Sequence, residues 1–358
     1  MSHSLFDPVA FARGNAMRNR FALAPLTNLQ SREDGTLSEE EFHWLTLRAR
    51  GGFGMIMTCA TSIRPDGKGF AGQLGIFADA HLAGLERLAQ ALGAAGSLAA
   101  VQLHHGGIRS PRELVGTPRA PWDDAKTGAR ALSTAEVEQV VEDFVLAAVR
   151  AERAGFDGVE LHAAHGYLIA QFFDAENNRR DDRYGGSFEN RTRVLFEIID
   201  GVRARTRPDF QLGVRLSPER FGVRLAEARA LAGQLLQGGR IDYLDMSLWD
   251  VFKEPVEPEF KGAALIDYFT DLERGDTRLG VAGKIMDAQT AQACIERGAD
   301  FVMPGRAAIL HHDFPLRVRD DPRFESVACP VTRAYLRNEG LSTPFIDYLA
   351  TWQGFVAD

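Results

Sequence analysis

The chain has 358 residues, 45% of them hydrophobic, enough to bury a large core as one barrel or two domains. Its 41 Lys and Arg stand against 49 Asp and Glu, a formal net charge of -8 with no basic block, which argues against nucleic acid or an acidic membrane surface as a partner. Three widely spaced cysteines (Cys59, Cys294 and Cys329) with no CxxC pair, no apolar run long enough to span a bilayer and no apolar leader segment disfavour a disulfide framework, a cysteine-held cluster, secretion and membrane spanning, so a cytoplasmic protein is expected.

One pattern recurs along the chain: a short apolar run rich in β-formers, a loop with Gly, Pro or polar residues, then a longer amphipathic stretch. Strands are expected at Phe21–Ala24, Met55–Cys59, Ala99–Leu103, Gly158–Leu161, Gln211–Leu216, Tyr243–Ser247, Leu279–Ala282 and Asp300–Met303. Between them, helices are expected at Ser38–Arg50, Ala80–Leu92, Ser133–Ala154, Glu189–Arg205, Leu225–Leu236 and Ala288–Arg297, with a short turn after Gly305. The starts SEEE and STAEVEQ carry capping residues and first-turn acids. Eight strands alternating with helices predict an α/β fold, a (β/α)8 TIM barrel in a single domain over 1–358, with its core over roughly 5–316 and a helical tail over roughly 317–358. Ser110–Lys126, rich in proline and polar residues, reads as an excursion that would cover the barrel mouth.

In a parallel barrel the chemistry belongs at the C-terminal ends of the strands. Pro25 and Thr27 follow strand one, where they are also ordinary turn residues, and small Ala60 follows strand two, where a flat ring could approach. Gln102, in strand three, has an amide that both donates and accepts, which suits a heterocycle edge as well as a backbone contact. His104, His105 and Arg109 come just after it. The segment GVELHAAHGYLIAQF puts His162, His165 and Tyr167 together at the end of strand four, an acid beside two hydrogen-bond donors. The HxxH spacing permits a shared metal as well as two donors on one carbonyl oxygen, but HExxH is absent and tyrosine is a poor zinc ligand. Arg215 lies inside an apolar strand and requires an anionic partner, either a structural carboxylate such as Glu160 or a cofactor that becomes anionic. Gly283 and Gly305, at strand-to-helix junctions beside Arg306, fit the usual phosphate position of barrels. Phe70, Trp249 and Phe252 are candidates for the substrate side.

Together and in this order, the motifs resemble the Old Yellow Enzyme family of FMN-dependent ene-reductases. The matching pieces, from about Leu5 to Leu316, are Asn19-Arg20, Ala24-Pro25-Leu26-Thr27, Gln102, His162-Ala-Ala-His165-Gly-Tyr167-Leu168, the Asn178 to Arg191 stretch, Val214-Arg215 and Gly305-Arg306. The resemblance implies that Ala24, Pro25, Thr27, Ala60, Gln102 and Arg215 contact the isoalloxazine of FMN, and that Gly283, Gly305 and Arg306 hold its phosphate. It further implies that His162 and His165 bind the carbonyl oxygen of an electron-poor alkene, with Trp249 nearby, and that Tyr167 gives the proton to Cα while hydride passes from flavin N5 to Cβ. NAD(P)H would be the transient hydride donor, binding in the substrate's place, so no dinucleotide fingerprint is required. No resident metal is implied, and a homo-oligomer is compatible with the chain. Three departures stand out: Thr27 replaces a cysteine of some bacterial members, Asp174-Ala175 replaces a Ser-Pro pair, and the tail has no arginine after Arg337. The cysteine pattern excludes the iron–sulfur branch. Two other readings remain at this stage, a flavin protein with a sensing role and a metal-dependent hydrolase built on His104, His105, His162 and His165.

Overall fold

The computed structural model describes residues 4–357. Eight parallel strands follow one another in chain order: β1 (Ala22–Leu23), β2 (Met55–Ser62), β3 (Leu98–His104), β4 (Gly158–Ala163), β5 (Gln211–Leu216), β6 (Tyr243–Ser247), β7 (Arg278–Ala282) and β8 (Phe301–Val302). A parallel bridge between Phe21 and Val302 joins the two ends, with the Val302 N–H donating to Arg20 O at 2.9 Å. The expected barrel is therefore present. Three strands run past their expected ends: β4 continues to Ala163, which puts His162 inside the strand, β3 continues to His104, and β2 continues to Ser62.

The intervening helices include α1 (Glu39–Arg50), α2 (Leu82–Ala94), α3 (Thr134–Arg153), α4 (Phe188–Arg205), α5 (Leu225–Gln237) and α6 (Ala288–Glu296). Their starts are set by side chains that accept an otherwise unpaired N–H. Ser38 accepts from Glu41 N, Ser187 from Asn190 N, and Ser133 and Glu136 form a reciprocal capping box.

Inside the barrel, the pleat turns alternate residues inward, and large side chains face small ones. A row across the sheet pairs Gln102 with Glu160, Glu160 with Gly213, and Gly213 with Tyr243. The next row pairs His162 with Arg215, Arg215 with Asp245, Asp245 with Gly280, and Gly280 with Phe301. The two glycines make room for aromatic rings: a Cβ on Gly213 would lie 2.1 Å from Tyr243 Cζ, and one on Gly280 would lie 2.3 Å from Phe301. The upper ends of both rows carry polar groups, and these form the floor of the site.

The excursion 110–126 contains a short helix, Arg112–Val115, and a two-residue strand, Arg119–Ala120, paired with Arg130–Ala131. It packs against the loop after β4, where Arg180 donates to Pro121 O at 3.0 Å, and none of its residues lines the cavity described below. The expected cover over the mouth is thus corrected: Arg180 pulls the loop sideways. The tail is only partly helical. Arg333–Asn338 and Thr343–Ala350 are helices, Val331–Thr332 pairs with Val356–Ala357, and Phe345 meets Trp44 of α1 edge-on at 5.0 Å.

Gly213→Ala should force the Tyr243 ring out of its place and destabilise the chain by about 1–3 kcal/mol, as overpacked cores do. Gly93→Ala, in α2 with nothing within 4 Å of the added methyl, should instead be neutral or stabilising. Denaturant midpoints of the two variants check the contrast.

Candidate active site

The C-terminal ends of the strands surround an open cavity of about 400 Å³. Ala24, Pro25, Thr27, Ala60, Gln102, His162, His165, Tyr167, Arg215, Trp249, Gly283, Gly305 and Arg306 all line it, so the sequence-derived candidates meet in one place. Phe70 and Phe252 do not: Phe70 packs on the core, and the Phe252 ring lies 5.0 Å from the Arg297 guanidinium. Tyr348 and Trp352, from the tail, line the cavity and were not expected.

Local structure places each group. The ladder between β2 and β3 shifts register between Met57 and Ala60, and the Thr58 hydroxyl accepts the Gln102 N–H at 3.2 Å there. That bulge brings the small Ala60 side chain to the cavity wall. After β4 the chain turns through His165 in the left-handed region (φ 57), held by its N–H donating to Ser217 Oγ at 2.9 Å. Tyr167 then caps the short helix Leu168–Phe173, while the Leu168 N–H donates to His105 O at 3.1 Å. Gln171 ties the two loops together, accepting from Ile108 N at 3.1 Å and donating to Gly166 O at 2.8 Å.

The three signature side chains form an edge-to-face cluster. Ring centroids are 5.1 Å apart for His162 and His165, 5.0 Å for His162 and Tyr167, and 4.4 Å for His104 and Tyr167. The Arg109 guanidinium lies 4.7 Å from the Tyr167 ring and donates to His165 O. His162 Nε2 and His165 Nδ1 are 3.3 Å apart, and His165 Nε2 is 2.8 Å from Ser247 Oγ. Burial first, then the neighbouring imidazoles and Arg215, hold His162 well below the usual histidine range. Burial first, then Arg215 and Arg109, do the same for His165. Both rings are therefore neutral at neutral pH, each with one N–H to give.

Below them lies a charge cluster that the sequence resolved only in part. Arg215 is not paired with Glu160. Its Nε is 2.9 Å from Asp245 Oδ2 on β6, an ion pair rather than an aligned hydrogen bond, and its Nη2 donates to Ser247 Oγ at 3.4 Å. Register decides this, because Asp245 sits directly opposite Arg215 in the ladder. Glu160 instead accepts from Gln102 Nε2 at 2.7 Å, while its other oxygen is buried without a hydrogen bond. Burial, reinforced by Asp245, raises the Glu160 carboxyl to about 8. Burial also raises Asp245, to about 6, against the pull of Arg215. One guanidinium thus faces two carboxyls, and Glu160 keeps its proton.

The motif from Asn178 to Arg191 lies outside the cavity and acts as scaffold. Asn178 donates to Phe172 O and Tyr184 O at 2.7 and 2.9 Å, and Arg180 and Asp182 pair at 2.5 Å. Arg191 and Glu227 pair at 2.7 Å, tying α4 to α5. Asp174 stops the helix that carries Tyr167 and accepts from Glu176 N and Asn177 N at 2.9 and 3.0 Å. Among the described residues, the group of three ligand-type side chains that converges is His312, Asp313 and Glu339, none of which lines the cavity. No helix among the described residues is long and apolar enough to cross a membrane.

Comparison with known proteins identifies the class. Residues 4–323 match the model of the NADH:flavin oxidoreductase / NADH oxidase family. The chain is 38% identical over 364 residues to the probable NADH-dependent flavin oxidoreductase YqiG of Bacillus subtilis, covering 98% of this chain and 97% of that one. It is 32% identical over 340 residues to an NADH oxidase of Thermoanaerobacter brockii, of which it spans 52%. Among solved structures, the Old Yellow Enzyme homologue from Zymomonas mobilis matches with a TM-score of 0.80 at 29% identity, covering 97% of this chain and 99% of that one. Morphinone reductase in complex with tetrahydroNAD matches with a TM-score of 0.77 at 30% identity, covering 93% and 94%. Barrel and cavity thus define a flavin-dependent NAD(P)H oxidoreductase. The chain belongs to the NADH:flavin oxidoreductase / NADH oxidase family, that of the Old Yellow Enzymes, whose cofactor is FMN with NAD(P)H as hydride donor.

The residues present fit that cofactor. No carboxylate lines the cavity among the described residues, so Arg306, on the cavity wall just after β8, meets no anionic side chain there that would compete with a phosphate. Gly283 (φ 152) has no room for a side chain, since a Cβ would come within 2.9 Å of Asp250 N and Trp249 C.

The buried Glu160 gives a pH signature. Between its ordinary value of 4.5 and the folded value of about 8, the folded chain holds a proton that the unfolded chain releases. Stability from this group therefore falls as pH rises through that window. Glu160→Gln should flatten the fall in denaturant midpoint between pH 5 and 8; an unaltered slope would show that the carboxyl is already ionised in the folded chain.

Proposed function

We propose that the chain reduces the C=C bond of α,β-unsaturated carbonyl or nitro compounds, with electrons drawn from NAD(P)H. The observation that carries this reading is the convergence of His162 Nε2 and His165 Nδ1, 3.3 Å apart, on one side of a cavity that Tyr167 also lines. An oxygen accepting from both nitrogens would be fixed in place, with the adjoining alkene in reach of the phenol.

In this reading Ala24, Pro25, Thr27 and Ala60 bound the ring site, and Gln102 and Arg215 meet its polar edge. Gly283, Gly305 and Arg306 receive the phosphate. FMN, when bound, supplies hydride to the β-carbon. The protein's part is to polarise the alkene and supply the proton. Two hydrogen bonds to the substrate oxygen, from His162 and His165, draw electron density from the β-carbon. Arg215 offers positive charge where negative charge grows, and Asp245 keeps it oriented. Tyr167 gives its phenolic proton to the α-carbon as a positioned general acid. Arg109, 4.7 Å from the Tyr167 ring centroid, sets a cation over the face of the phenol that loses the proton. Trp249, Phe221, Tyr348 and Trp352 supply the apolar walls.

Purified protein should be yellow and should oxidise NADPH or NADH faster when 2-cyclohexenone is added. Tyr167→Phe should retain the flavin and its reduction by the nicotinamide, while enone turnover drops by about 10²–10⁴, the usual contribution of a positioned acid. Stopped-flow measurement of the two half-reactions separates these effects. Unchanged reoxidation by the enone in the variant would remove Tyr167 from this role.

A further inference from the structure

Two donors on one oxygen impose a requirement on the His165 ring, and the structure contains a device that meets it. For His162 the proton position is fixed: the Ala164 N–H donates to its Nδ1 at 3.3 Å, so its single proton lies on Nε2. His165 faces that proton with Nδ1 and faces Ser247 Oγ with Nε2. The arrangement consistent with these contacts runs from His162 Nε2–H to His165 Nδ1, and from His165 Nε2–H to Ser247 Oγ. In that form His165 has no proton to offer a ligand.

When a carbonyl oxygen enters and takes the His162 proton, His165 can join the clamp only with its proton on Nδ1. Its buried Nε2 must then accept a hydrogen bond from a neighbour. Among the described residues Ser247 Oγ is the one group within hydrogen-bond distance, and its hydroxyl can reverse from acceptor to donor. Arg215 makes this reversal favourable. Its Nη2 has only protons to give, at 3.4 Å from the same oxygen, so it occupies a lone pair and leaves the hydroxyl hydrogen free to turn towards His165. A serine hydroxyl thus stands between the guanidinium expected at the flavin and the imidazole expected at the substrate.

Resting on the carbonyl-clamp reading above, we propose that Ser247 is a positioning residue that sets the His165 tautomer and switches it from acceptor to donor when the substrate oxygen binds. In the switch one proton leaves Nε2 and one arrives at Nδ1 by exchange with solvent, so the imidazole stays neutral and no other group changes charge. Asp245 belongs to the device indirectly, since it anchors Arg215 from the next strand at 2.9 Å.

The test uses the oxidised holoenzyme labelled with 15N-histidine, with 2-cyclohexenone as probe and no nicotinamide, so that nothing turns over. Long-range 1H–15N spectra report the tautomer, and His165→Gln identifies the resonances. Expected is an Nε2–H ring in the empty protein and an Nδ1–H ring with enone bound. Ser247→Ala should abolish the switch and raise the enone dissociation constant about tenfold, the loss of one hydrogen bond, and Ser247→Thr should restore both. The same switch in Ser247→Ala, or an Nε2–H ring with enone bound in the wild type, overturns the proposal. An enone that leaves the absorbance of the wild-type flavin unperturbed refutes the clamp itself and the relay with it.

Discussion

The site rests on a guanidinium held beneath the barrel mouth. Burying Arg215 is affordable only because Asp245 lies opposite it in the next strand, and an unpaired charge at that depth would cost several kcal/mol. A second carboxyl, Glu160, then shares the same interior, and the excess negative charge is removed by a retained proton rather than by a second cation. Gln102 ties that neutral carboxyl to the cavity wall, and Ser247 ties the guanidinium to His165. Asp245, Arg215, Ser247 and His165 are therefore one connected chain of polar contacts beneath and beside the cavity. From Arg215 the link to His165 runs through two hydrogen bonds by way of Ser247 Oγ, whereas Glu160 bonds to Gln102 and is coupled to the rest through charge alone.

The network is possible because of how the pleat fills the barrel. Glycines at 213 and 280 admit Tyr243 and Phe301, which plug the interior and leave the polar ends of the rows above them. Two buried aromatic rings thus close the barrel beneath the floor. Around it, His165, Phe221, Trp249 and Lys284 hold left-handed backbone conformations on four successive loops. Side chains with φ in that range carry local strain, and such residues gather where a loop must aim a group rather than merely connect two elements.

Most of the architecture was legible in the sequence. Alternating apolar runs and amphipathic stretches, with Ser38, Ser133 and Ser187 at helix starts, mark the strand and helix order. The residues at strand ends, from Pro25 to Arg306, meet in one cavity as their positions in the (β/α)8 pattern require. What was not legible depends on register. Arg215 announced a buried charge, but the choice of Asp245 over Glu160 is made by the stagger between β5 and β6, which no local pattern encodes. Ser247 looked like the last residue of a strand, and its part emerges only where three strands converge. Tyr348 and Trp352 lie far along the chain from the other cavity residues, in a segment whose apolar positions read equally well as packing on α1. The Asn178 to Arg191 stretch shows the reverse: strong as a signature, it supports the loops without entering the cavity.

The placement of those two tail aromatics bears on how the protein comes to hold its cofactor. Residues 24–27 open the cavity wall and residues 348 and 352 close it, so its lining spans nearly the whole order of synthesis. A growing chain exposes the first strand long before the last wall exists. The cavity wall is therefore complete only once the C-terminal helix Thr343–Ala350 has docked, long after the first strand has formed.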